Sequence, residues 1–432
     1  MKPGARVQAA VEIIEAVERF HQPAGHTLKE WGRAHRFAGS GDRAAIGNLV
    51  YDVLRRRASI AWAMGDEAPR ALVLGALAFA WGMTGEEIAI WCDGSEHTAA
   101  PLSEAESSAI ASPKNGAPDW VRGDYPEWMA PHFTRVFGAR AADEGAGLSQ
   151  RAPIDLRANT LKTNRDKLLE SLKKTNPIPT PYSPVGVRIA PREGASKSPH
   201  VEAESAHGRG HFEVQDEGSQ LAALLTGART GQQVVDLCAG SGGKTLALAA
   251  AMGNKGQIHA YDANKHRLRP IFERLKRAGA RNVQVLDGGD EAALSGLAAK
   301  MDVVVIDAPC SGTGVWRRRP DAKWRLSSQA LEERQAEQTS VLELGVPLVK
   351  AGGRLVYITC SVLAEENSDQ IEAFLERHPG FGVIPYGEVW REAIGSEPPA
   401  SADGRDDSLL LSPASHGTDG FFIAVLELKK DA

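Results

Sequence analysis

The chain has 432 residues, of which 42% are hydrophobic and 24% charged, and its formal net charge is −5. This composition excludes a wholly disordered chain, and the negative charge means that any nucleic-acid contact has to rely on local basic clusters. No run of about 18 apolar residues is present, so we expect no transmembrane helix. The N-terminal segment carries Glu12 and Glu15 inside its apolar pattern, which is typical of an amphipathic helix and not of a signal peptide.

The four cysteines show no CxxC motif and no cysteine–histidine spacing of the kind that binds zinc, so we expect no metal site. They are Cys92, Cys238, Cys310 and Cys360. Without a secretion signal we expect a cytoplasmic protein whose cysteines stay reduced.

Residues 1–92 are predicted to be helical, because apolar residues recur at helical spacing from Val7 to Phe20 and again in RAAIGNLVYDVLRRR and RALVLGALAFAWGM. The basic run LRRR at 54–57 is either a solvated helix face or an RNA-facing patch. Residues 93–118 are rich in Ala, Ser, Pro and Gly and favour a linker. Residues 119–230 predict a small α+β segment, with strands in PIDLRA, GVRIA and HFEV and a helix in RDKLLESLKK.

Residues 231–432 show strand–helix alternation, which predicts a parallel sheet covered by helices in an α/β domain. The candidate strands are VVDLC (234–238), QIHAYD (257–262), NVQVLD (282–287), DVVVID (302–307) and RLVYITC (354–360), with FGVIPYG and FFIAVLEL as later additions.

The loop DLCAGSGGKT, residues 236–245, ends like the phosphate-binding loop of a nucleoside triphosphatase, with Lys244 and Thr245. That motif is written GxxxxGK[ST], and its first glycine would fall at position 238. Cys238 stands there instead, which argues against a triphosphate site.

An adenosyl-type site is the alternative interpretation of this loop. Gly240, Gly242 and Gly243 allow the backbone to approach a ligand closely. An acidic residue about 20 positions further on grips ribose hydroxyls in such sites, and Asp262 stands at the end of the next strand. A glycine turn that binds no ligand remains the plainer alternative.

Two cysteines follow neighbouring predicted strands, Cys310 in DAPCSGTG and Cys360 in ITCS. Ligands of such sheets lie beyond the carboxyl ends of the strands, so both thiols are expected at one cleft, although a buried cysteine often serves only as a small apolar residue. This set suits methylation of carbon 5 of a pyrimidine. A thiolate adds to carbon 6 and makes carbon 5 nucleophilic, an acid such as Asp307 manages charge at ring nitrogen 3, and a second thiol assists release.

Five segments in this order and spacing resemble the RNA cytosine-5 methyltransferases of the Sun/Fmu (RsmB-like) branch: VQDEGSQLAALL, DLCAGSGGKT, DAPCSGTGVWRRRPDAKWR, TCSVLAEEN and DGFFIAVL. The match covers roughly residues 150–428. The stretch DRAAIGNLVYDVLRR resembles the NusB-like RNA-binding domain of the same family, which would make residues 1–92 such a domain.

The resemblance implies a Rossmann-like class I methyltransferase sheet, S-adenosylmethionine as the cofactor and RNA as the partner, with ribosomal RNA favoured over transfer RNA. It implies that Cys360 is the nucleophile and Cys310 assists product release, the reverse of DNA cytosine methyltransferases, whose nucleophile lies in the Pro-Cys motif. It also assigns Asp307 to the target base and Lys244 to the cofactor carboxylate or the catalytic acid. The implied cofactor contacts are Cys238, Ala239, Gly240, Ser241, Gly242, Gly243, Lys244, Asp262, Arg267, Asp290 and Asp307.

The sequence departs from the family pattern at two points. The family loop usually has CAAPGGKT, so Gly240 and Ser241 replace Ala-Pro, and we expect a more flexible turn and weaker cofactor affinity. Pro270 interrupts the helix after Asp262, and we expect a kink there.

The segment after the Pro-Cys motif interleaves basic and aromatic residues, which predicts contacts to RNA phosphates and to an unstacked base. Its members are Trp316, Arg317, Arg318, Arg319, Lys323, Trp324 and Arg325, with Asp321 expected to orient the arginines. A solvated basic face with packing tryptophans is the alternative. The segment LRANTLKT together with LKK at 172–174 is a second candidate RNA surface.

We expect a monomer without membrane contact. Other functions remain open: a transfer-RNA cytosine-5 methyltransferase, methyl transfer to DNA or protein, and a catalytically silent RNA-binding or assembly factor.

Overall fold

A computed structural model describes residues 1–430 of the chain. These residues form two units that alternate along the sequence. The first unit contains Met1–Ala152, Pro191–Pro199 and Trp316–Leu326, and the second contains Pro153–Ala190, His200–Val315 and the chain from Ser327 onward. The units therefore divide the chain at other points than the predicted boundaries at 92, 118 and 230, which stay predictions.

The first unit is built of helices, as its apolar periodicity predicts. Its α-helices are Pro3–Phe20, Ala24–Ala34, Ser40–Arg55, Arg57–Met64, Pro69–Gly75, Gly85–Trp91, Glu104–Ala111, Asp119–Arg122, Ala130–Phe137, Ala141–Leu148 and Pro320–Arg325. A π-helical turn spans Ala76–Ala80, and 3-10 turns span Glu127–Met129 and Gly138–Arg140. The apolar faces of the first helices pack into one core that includes Ile14, Val50 and Leu72.

The predicted linker at 93–118 contains a helix, Glu104–Ala111. Ser103 begins this helix with a capping box: its hydroxyl accepts a hydrogen bond from the Glu106 N–H at 3.2 Å, and the Glu106 carboxylate accepts one from the Ser103 N–H at 2.8 Å. The SxxE pattern of that box was the available sequence signal.

The second unit begins with a four-stranded antiparallel sheet in the order β2-β3-β1-β4. Its strands are β1 (Ile154–Ala158), β2 (Ile178–Pro179), β3 (Gly186–Ile189) and β4 (Phe212–Val214). The helices Arg165–Ser171 and Ser205–Gly208 and the 3-10 turns Lys173–Thr175 and Val201–Ala203 accompany it. The three predicted strands and the predicted helix are present, whereas β2 is too short to show an alternating pattern.

The larger sheet of the second unit has the order β10-β12-β9-β8-β5-β6-β7, and β11 pairs with β12. Its strands are β5 (Gln233–Asp236), β6 (Gln257–Ala260), β7 (Val283–Val285), β8 (Met301–Asp307), β9 (Val349–Thr359), β10 (Phe381–Ile384), β11 (Leu409–Leu411) and β12 (Phe421–Leu428). The run β9-β8-β5-β6-β7 is parallel, whereas β12 pairs antiparallel with β9, β10 and β11. The predicted Rossmann-like α/β fold is confirmed, with antiparallel strands added at one edge.

The helices of this part are Glu217–Leu224, Gly243–Ala251, Lys265–Leu268, Ile271–Ala278, Ala292–Ser295, Ser328–Gly345, Ser368–Arg377, Tyr386–Ala393 and Pro413–His416, with 3-10 turns at Thr313–Val315, Val346–Leu348 and Ala364–Glu366. Pro270 separates Lys265–Leu268 from Ile271–Ala278, so the interruption predicted there is present.

The parallel strands bring the functional candidates to one edge. Because β5, β6, β8 and β9 are parallel, the residues that follow their carboxyl ends lie at the same edge of the sheet. The chain runs from β5 to β6 on one side and returns through β8 on the other, which makes this edge the topological switch point where such sheets bind ligands.

Candidate active site

The loop after β5 is a tight turn held by the neighbouring strands. The Leu237 N–H donates to the Val305 carbonyl and the Ala239 N–H to the Tyr261 carbonyl, both at 2.9 Å. Gly242 has φ +87°, and a Cβ there would lie 2.5 Å from Cγ1 of Ile271. Only glycine fits this position, because both the backbone angle and the close approach exclude a side chain.

Gly240 and Ser241, which replace the family's Ala-Pro, lie inside this turn. Gly240 has φ +52°, which glycine adopts without strain. Arg274 donates from Nη1 to both the carbonyl oxygen and Oγ of Ser241 at 2.9 Å. The hydrogen bonds from Arg274 therefore hold the turn at Ser241. The predicted loss of cofactor affinity stays a prediction.

Asp262 lies at the end of β6 with its carboxylate buried. Its Oδ2 accepts a hydrogen bond from the Gly240 N–H at 3.0 Å, and its Oδ1 accepts one from the Asn264 N–H at 2.8 Å. Nη1 of Arg267 lies 3.5 Å from Oδ2. These contacts fix the carboxylate against the glycine turn.

A cavity of about 860 Å³ lies beside this carboxylate. Its lining consists of Leu237, Cys238, Tyr261, Asp262, Ala263, Asn264, Arg267, Glu291, Pro309, Arg334, Ala336, Glu337, Ser340, Val341 and Leu344. The volume is within the range of small-molecule sites. A fixed acid next to a glycine turn and an apolar wall fits an adenosyl group, and the contact of Asp262 with the ribose stays a prediction.

The predicted cofactor contacts other than Lys244 and Asp307 divide into three sets. Cys238, Asp262 and Arg267 line the cavity, and the turn 239–243 continues from Cys238. Asp290 caps a local turn, where its carboxylate accepts a hydrogen bond from the Ala292 N–H at 2.9 Å, whereas the next residue, Glu291, is a lining residue. Sequence reasoning missed Glu291 because the family resemblance assigned the preceding residue, Asp290, to the cofactor.

Lys244 and Asp307 form an ion pair, with Nζ 2.7 Å from Oδ1. The lysine side chain is only 6% exposed, whereas that of Asp307 is 36% exposed. The ammonium also lies 5.1 Å from the ring centroid of Phe421. A charge-assisted hydrogen bond of this length holds the Asp307 carboxylate in one direction at the end of β8.

The two predicted catalytic thiols are brought together. The Sγ atoms of Cys310 and Cys360 lie 3.3 Å apart, although the residues are 50 positions apart in sequence. The hydrogen bond with Cys360, burial and the neighbouring Glu366 carboxylate raise the pKa of Cys310 well above its ordinary value. Cys310 is therefore a protonated thiol at neutral pH that can donate to the sulfur of Cys360.

Two residues that sequence reasoning did not single out hold the cysteine loops. The buried Glu366 carboxylate accepts hydrogen bonds from the Ser311 N–H at 2.7 Å, from the Ser311 hydroxyl and from Nε2 of Gln338 at 3.0 Å. Asn367 accepts from the Thr359 hydroxyl at 2.6 Å. Both residues end the TCSVLAEEN segment, and that position was the available signal.

Asn367 also donates from Nδ2 to the Ser361 carbonyl at 2.9 Å. Its amide therefore bonds to the residues on both sides of Cys360, and this fixes the backbone that carries the thiol.

Gly314 joins three segments of the site by backbone contacts. Its N–H donates to the Cys360 carbonyl at 2.9 Å, and its own carbonyl accepts from the Gly420 N–H at 2.8 Å. A Cβ at Gly314 would lie 2.3 Å from the Gly420 carbonyl oxygen. The close approach requires glycine and locks the Cys360 loop to the start of β12.

The RNA surface predicted after the Pro-Cys motif is wrong for several of its residues. Trp316 is only 1% exposed and stacks on Phe133 at 5.8 Å between ring centroids. Arg317 and Lys323 are buried as well. These residues belong to the interior of the first unit, and an interleaved basic and aromatic pattern does not distinguish an interior from a surface.

Lys323 has a complete set of partners within the first unit. Its ammonium donates to the carbonyl oxygens of Arg55 and Asp124 at 2.6 Å each and to Oγ of Ser149 at 2.8 Å. Arg325 is exposed, and its Nη2 lies 2.9 Å from Asp321 Oδ2, so Asp321 does orient an arginine as predicted.

The other two basic candidates are also engaged within their own units. In LRRR, Arg55 donates to Asp52 at 3.0 Å, Arg56 donates to the Phe79 carbonyl at 3.1 Å, and Arg57 pairs with Glu18 at 2.9 Å. These contacts favour the helix-face interpretation over an RNA patch.

In LRANTLKT, Arg157 is buried and donates to Oε1 of Gln215 at 2.6 Å, and burial lowers its pKa to about 10. Lys162 donates to the carbonyl oxygens of Arg209 and Arg277. The predicted RNA surface is therefore wrong for Arg157.

Within residues 1–430, no group of three or more His, Cys, Asp or Glu side chains is arranged to hold a metal ion. Over the same range no helix has the length and apolarity needed to cross a membrane.

Comparisons with known proteins agree on one group. A family model described as the 16S rRNA methyltransferase RsmB/F matches residues 223–427, and one described as the ferredoxin-like domain of RsmF/B-like methyltransferases matches residues 125–192. A probable ribosomal RNA small subunit methyltransferase B of Synechocystis is 32% identical over 307 residues, which is 70% of this chain and 66% of the relative.

The ribosomal RNA small subunit methyltransferase B of Citrobacter koseri is 33% identical over 305 residues, with the same coverage of 70% and 66%. The chain thus spans just under two thirds of the length of these curated relatives. Among solved structures, the crystal structure of PH0851 has a TM-score of 0.74 and 24% identity and covers 99% of both chains, which shows a shared fold.

Proposed function

Because the chain belongs to the RsmB/F family of RNA methyltransferases, we propose that it methylates carbon 5 of a cytosine in ribosomal RNA through a covalent cysteine adduct. S-adenosylmethionine, the methyl donor of this family, supplies the methyl group. The observation that carries the proposal is the pair of thiols at 3.3 Å beside the cavity that fits an adenosyl group.

Cys360 is the nucleophile in this proposal. Its sulfur adds to carbon 6 of the cytosine, and the electron pair of the 5,6 double bond moves into the ring towards nitrogen 3. Asp307 faces nitrogen 3 and passes it a proton, which the ammonium of Lys244, 2.7 Å from Oδ1 of Asp307, replaces. Carbon 5 becomes nucleophilic as a result.

Cys310 assists release. After methyl transfer, a solvent base takes the carbon 5 proton, and the electron pair of that C–H bond re-forms the 5,6 double bond. The carbon 6–sulfur bond breaks with its electron pair returning to the sulfur of Cys360, and nitrogen 3 gives its proton back to Asp307. The Cys310 thiol, whose raised pKa keeps it protonated, donates a hydrogen bond to that sulfur and so stabilises the departing thiolate.

The roles are tested with Cys310→Ala, Cys360→Ala and, as a matched control, Cys92→Ala, which changes a buried cysteine of the first unit. Incubated with cofactor and ribosomal RNA, Cys310→Ala should give a protein–RNA band that survives denaturing electrophoresis. Cys360→Ala should give neither band nor methylation, and Cys92→Ala should behave like the parent. An adduct in Cys360→Ala alone would reverse the two roles.

The substrate is tested by bisulfite mapping of ribosomal and transfer RNA from a strain that lacks the gene. Loss of one 5-methylcytosine in ribosomal RNA supports the proposal, and a loss confined to transfer RNA identifies the alternative substrate. No change in either RNA would contradict a cytosine-5 activity and favour an RNA-binding or assembly role.

A further inference from the structure

An exposed column of three rings stands on the first unit, among residues that the proposed mechanism does not use. The indole of Trp31 packs against the helical core, and the imidazole of His35 stacks on it with ring centroids 4.3 Å apart and planes 14° apart. The ring of Phe37 meets His35 edge-on at 5.8 Å and is 74% exposed. A phenylalanine this exposed, on a base of stacked rings fixed to the core, is a ready stacking platform.

Basic side chains are frequent in the segment that carries the column. Four of them, Lys29, Arg33, Arg36 and Arg43, are exposed or half-buried within residues 29–43 of a chain whose net charge is −5. Two acidic residues lie in the same segment. Glu30 pairs with Arg33 at 2.6 Å, and the Asp42 carboxylate is already bound by the N-terminal amine and by Arg6. Segment 29–43 therefore carries a net positive charge, with Lys29, Arg36 and Arg43 not paired to its two carboxylates in these ion pairs.

A groove of about 440 Å³ adjoins the base of the column, between the helices Ala24–Ala34 and Ser40–Arg55. Leu28, Trp31 and Tyr51 contribute its apolar surface, and Arg43 borders it. Nε of Arg43 donates to the Ala38 carbonyl at 2.9 Å, which fixes the guanidinium beside the loop that carries Phe37.

We propose that this face, residues 29–43, binds a single-stranded segment of RNA, with an unpaired base stacked on Phe37 and backbone phosphates on the surrounding Lys29 and Arg36. Single-stranded nucleic acid is recognised by aromatic side chains that stack bases and by basic side chains that follow the phosphates. An acidic protein surface would suit the charges as well, and it is a separate outcome of the test below. The inference rests on the proposed function in that the substrate is RNA, and it adds a binding surface in the first unit.

The test measures binding of the full-length protein to a fluorescein-labelled, unstructured RNA of about 12 nucleotides, by fluorescence anisotropy and without cofactor. Phe37→Ala should weaken binding roughly 5- to 150-fold, the loss expected for one stacked base, and Phe37→Trp should retain it. Arg36→Gln should lower the slope of log K against log salt by about 0.7, the effect of one phosphate contact on a single strand.

The first unit contains a matched control. Phe20 is 59% exposed, and the Arg19 guanidinium lies 5.2 Å from its ring centroid. However, the acidic Glu18 precedes Arg19, and Phe20 has no pair of stacked rings beneath it among the described residues. Phe20→Ala and Arg19→Gln should leave affinity and salt slope unchanged.

Two results would overturn the inference: RNA binding by Phe37→Ala within twofold of the parent, or an equal loss in Phe20→Ala. Unchanged RNA binding combined with loss of a protein partner would assign the face to that partner instead. Because the assay contains no methyl donor and reports no methyl transfer, failure of the proposed methylation would leave its result intact, and the two hypotheses fail separately.

Discussion

Asp236 should make the stability of the second unit depend on pH in an unusual direction. The residue ends β5, is fully buried and accepts a hydrogen bond from the Thr245 hydroxyl at 2.8 Å. Burial raises its pKa from an ordinary value of 3.8 to about 7, the Thr245 hydrogen bond opposes the rise, and the nearby Asp307 charge adds to it. The folded protein therefore holds this proton more tightly than the unfolded chain does.

The sign and size follow from linkage. Between pH 4 and 7 the unfolded chain has lost the Asp236 proton while the folded protein retains it, so this group makes the free energy of unfolding fall as pH rises. Each pH unit between the two pKa values lowers the free energy of unfolding by about 1.4 kcal/mol, so the total loss above pH 7 is about 4 kcal/mol. Asp236→Asn removes the titration while its amide oxygen still accepts from Thr245.

The assay is urea unfolding of parent and Asp236→Asn at pH 5, 6, 7 and 8. The difference in the free energy of unfolding should shift in favour of the variant by about 2 to 3 kcal/mol between pH 5 and pH 8. Any cost of the new amide is independent of pH and cancels in this comparison. Asp166→Asn, at an exposed position of the same unit, controls for the loss of one charge. A difference that stays constant from pH 5 to 8 would refute the reasoning.

Three further outcomes are expected. Gly314→Ala should lower kcat by about 100-fold with cofactor affinity unchanged, because its Cβ would lie 2.3 Å from the Gly420 carbonyl and displace the Cys360 loop, whereas Gly296→Ala, with open space around it, should have no effect in the same methyl-transfer assay. Asp262→Asn should weaken cofactor binding about tenfold in calorimetry, since the ribose loses a charge-assisted hydrogen bond. An unchanged Kd would show that Asp262 does not bind the cofactor. Lys323→Met should lower the free energy of unfolding by about 3 kcal/mol in urea, because three buried acceptors lose their donor, and a loss below 1 kcal/mol would contradict this account.

The strand ends were predictable from sequence because each buried strand gives an apolar run that stops at a polar residue. Asp262, Asp307 and Cys360 all follow such runs, and the parallel order of the strands brings these residues to one edge. The short distance between the two thiols follows from the same rule. Glu366 was not predictable in this way, because its role depends on hydrogen bonds to Ser311 and Gln338 on other segments.

The basic segment after the Pro-Cys motif shows the opposite case. Lys323 looks like a surface residue in sequence, since lysine is rarely buried without partners. Its partners are backbone and hydroxyl oxygens up to 268 positions away, which no local pattern can reveal. Phe37 was overlooked for a related reason, because only the structure shows that its ring is exposed on stacked neighbours.

The contact between Lys323 and Ser149 also bears on synthesis of the chain. The two residues are 174 positions apart, and Asp124, whose carbonyl oxygen accepts from the same ammonium, is 199 positions before it. An N-terminal domain commonly completes folding while later residues are still being translated, at roughly 5–20 residues per second. Here the nascent helices must wait roughly 10 to 35 seconds after Ser149 is added before Lys323 arrives, by which time β8 has been translated. The first unit is thus finished only once most of the second has been made, and a fragment that ends at Ala152 would lack its buried cation.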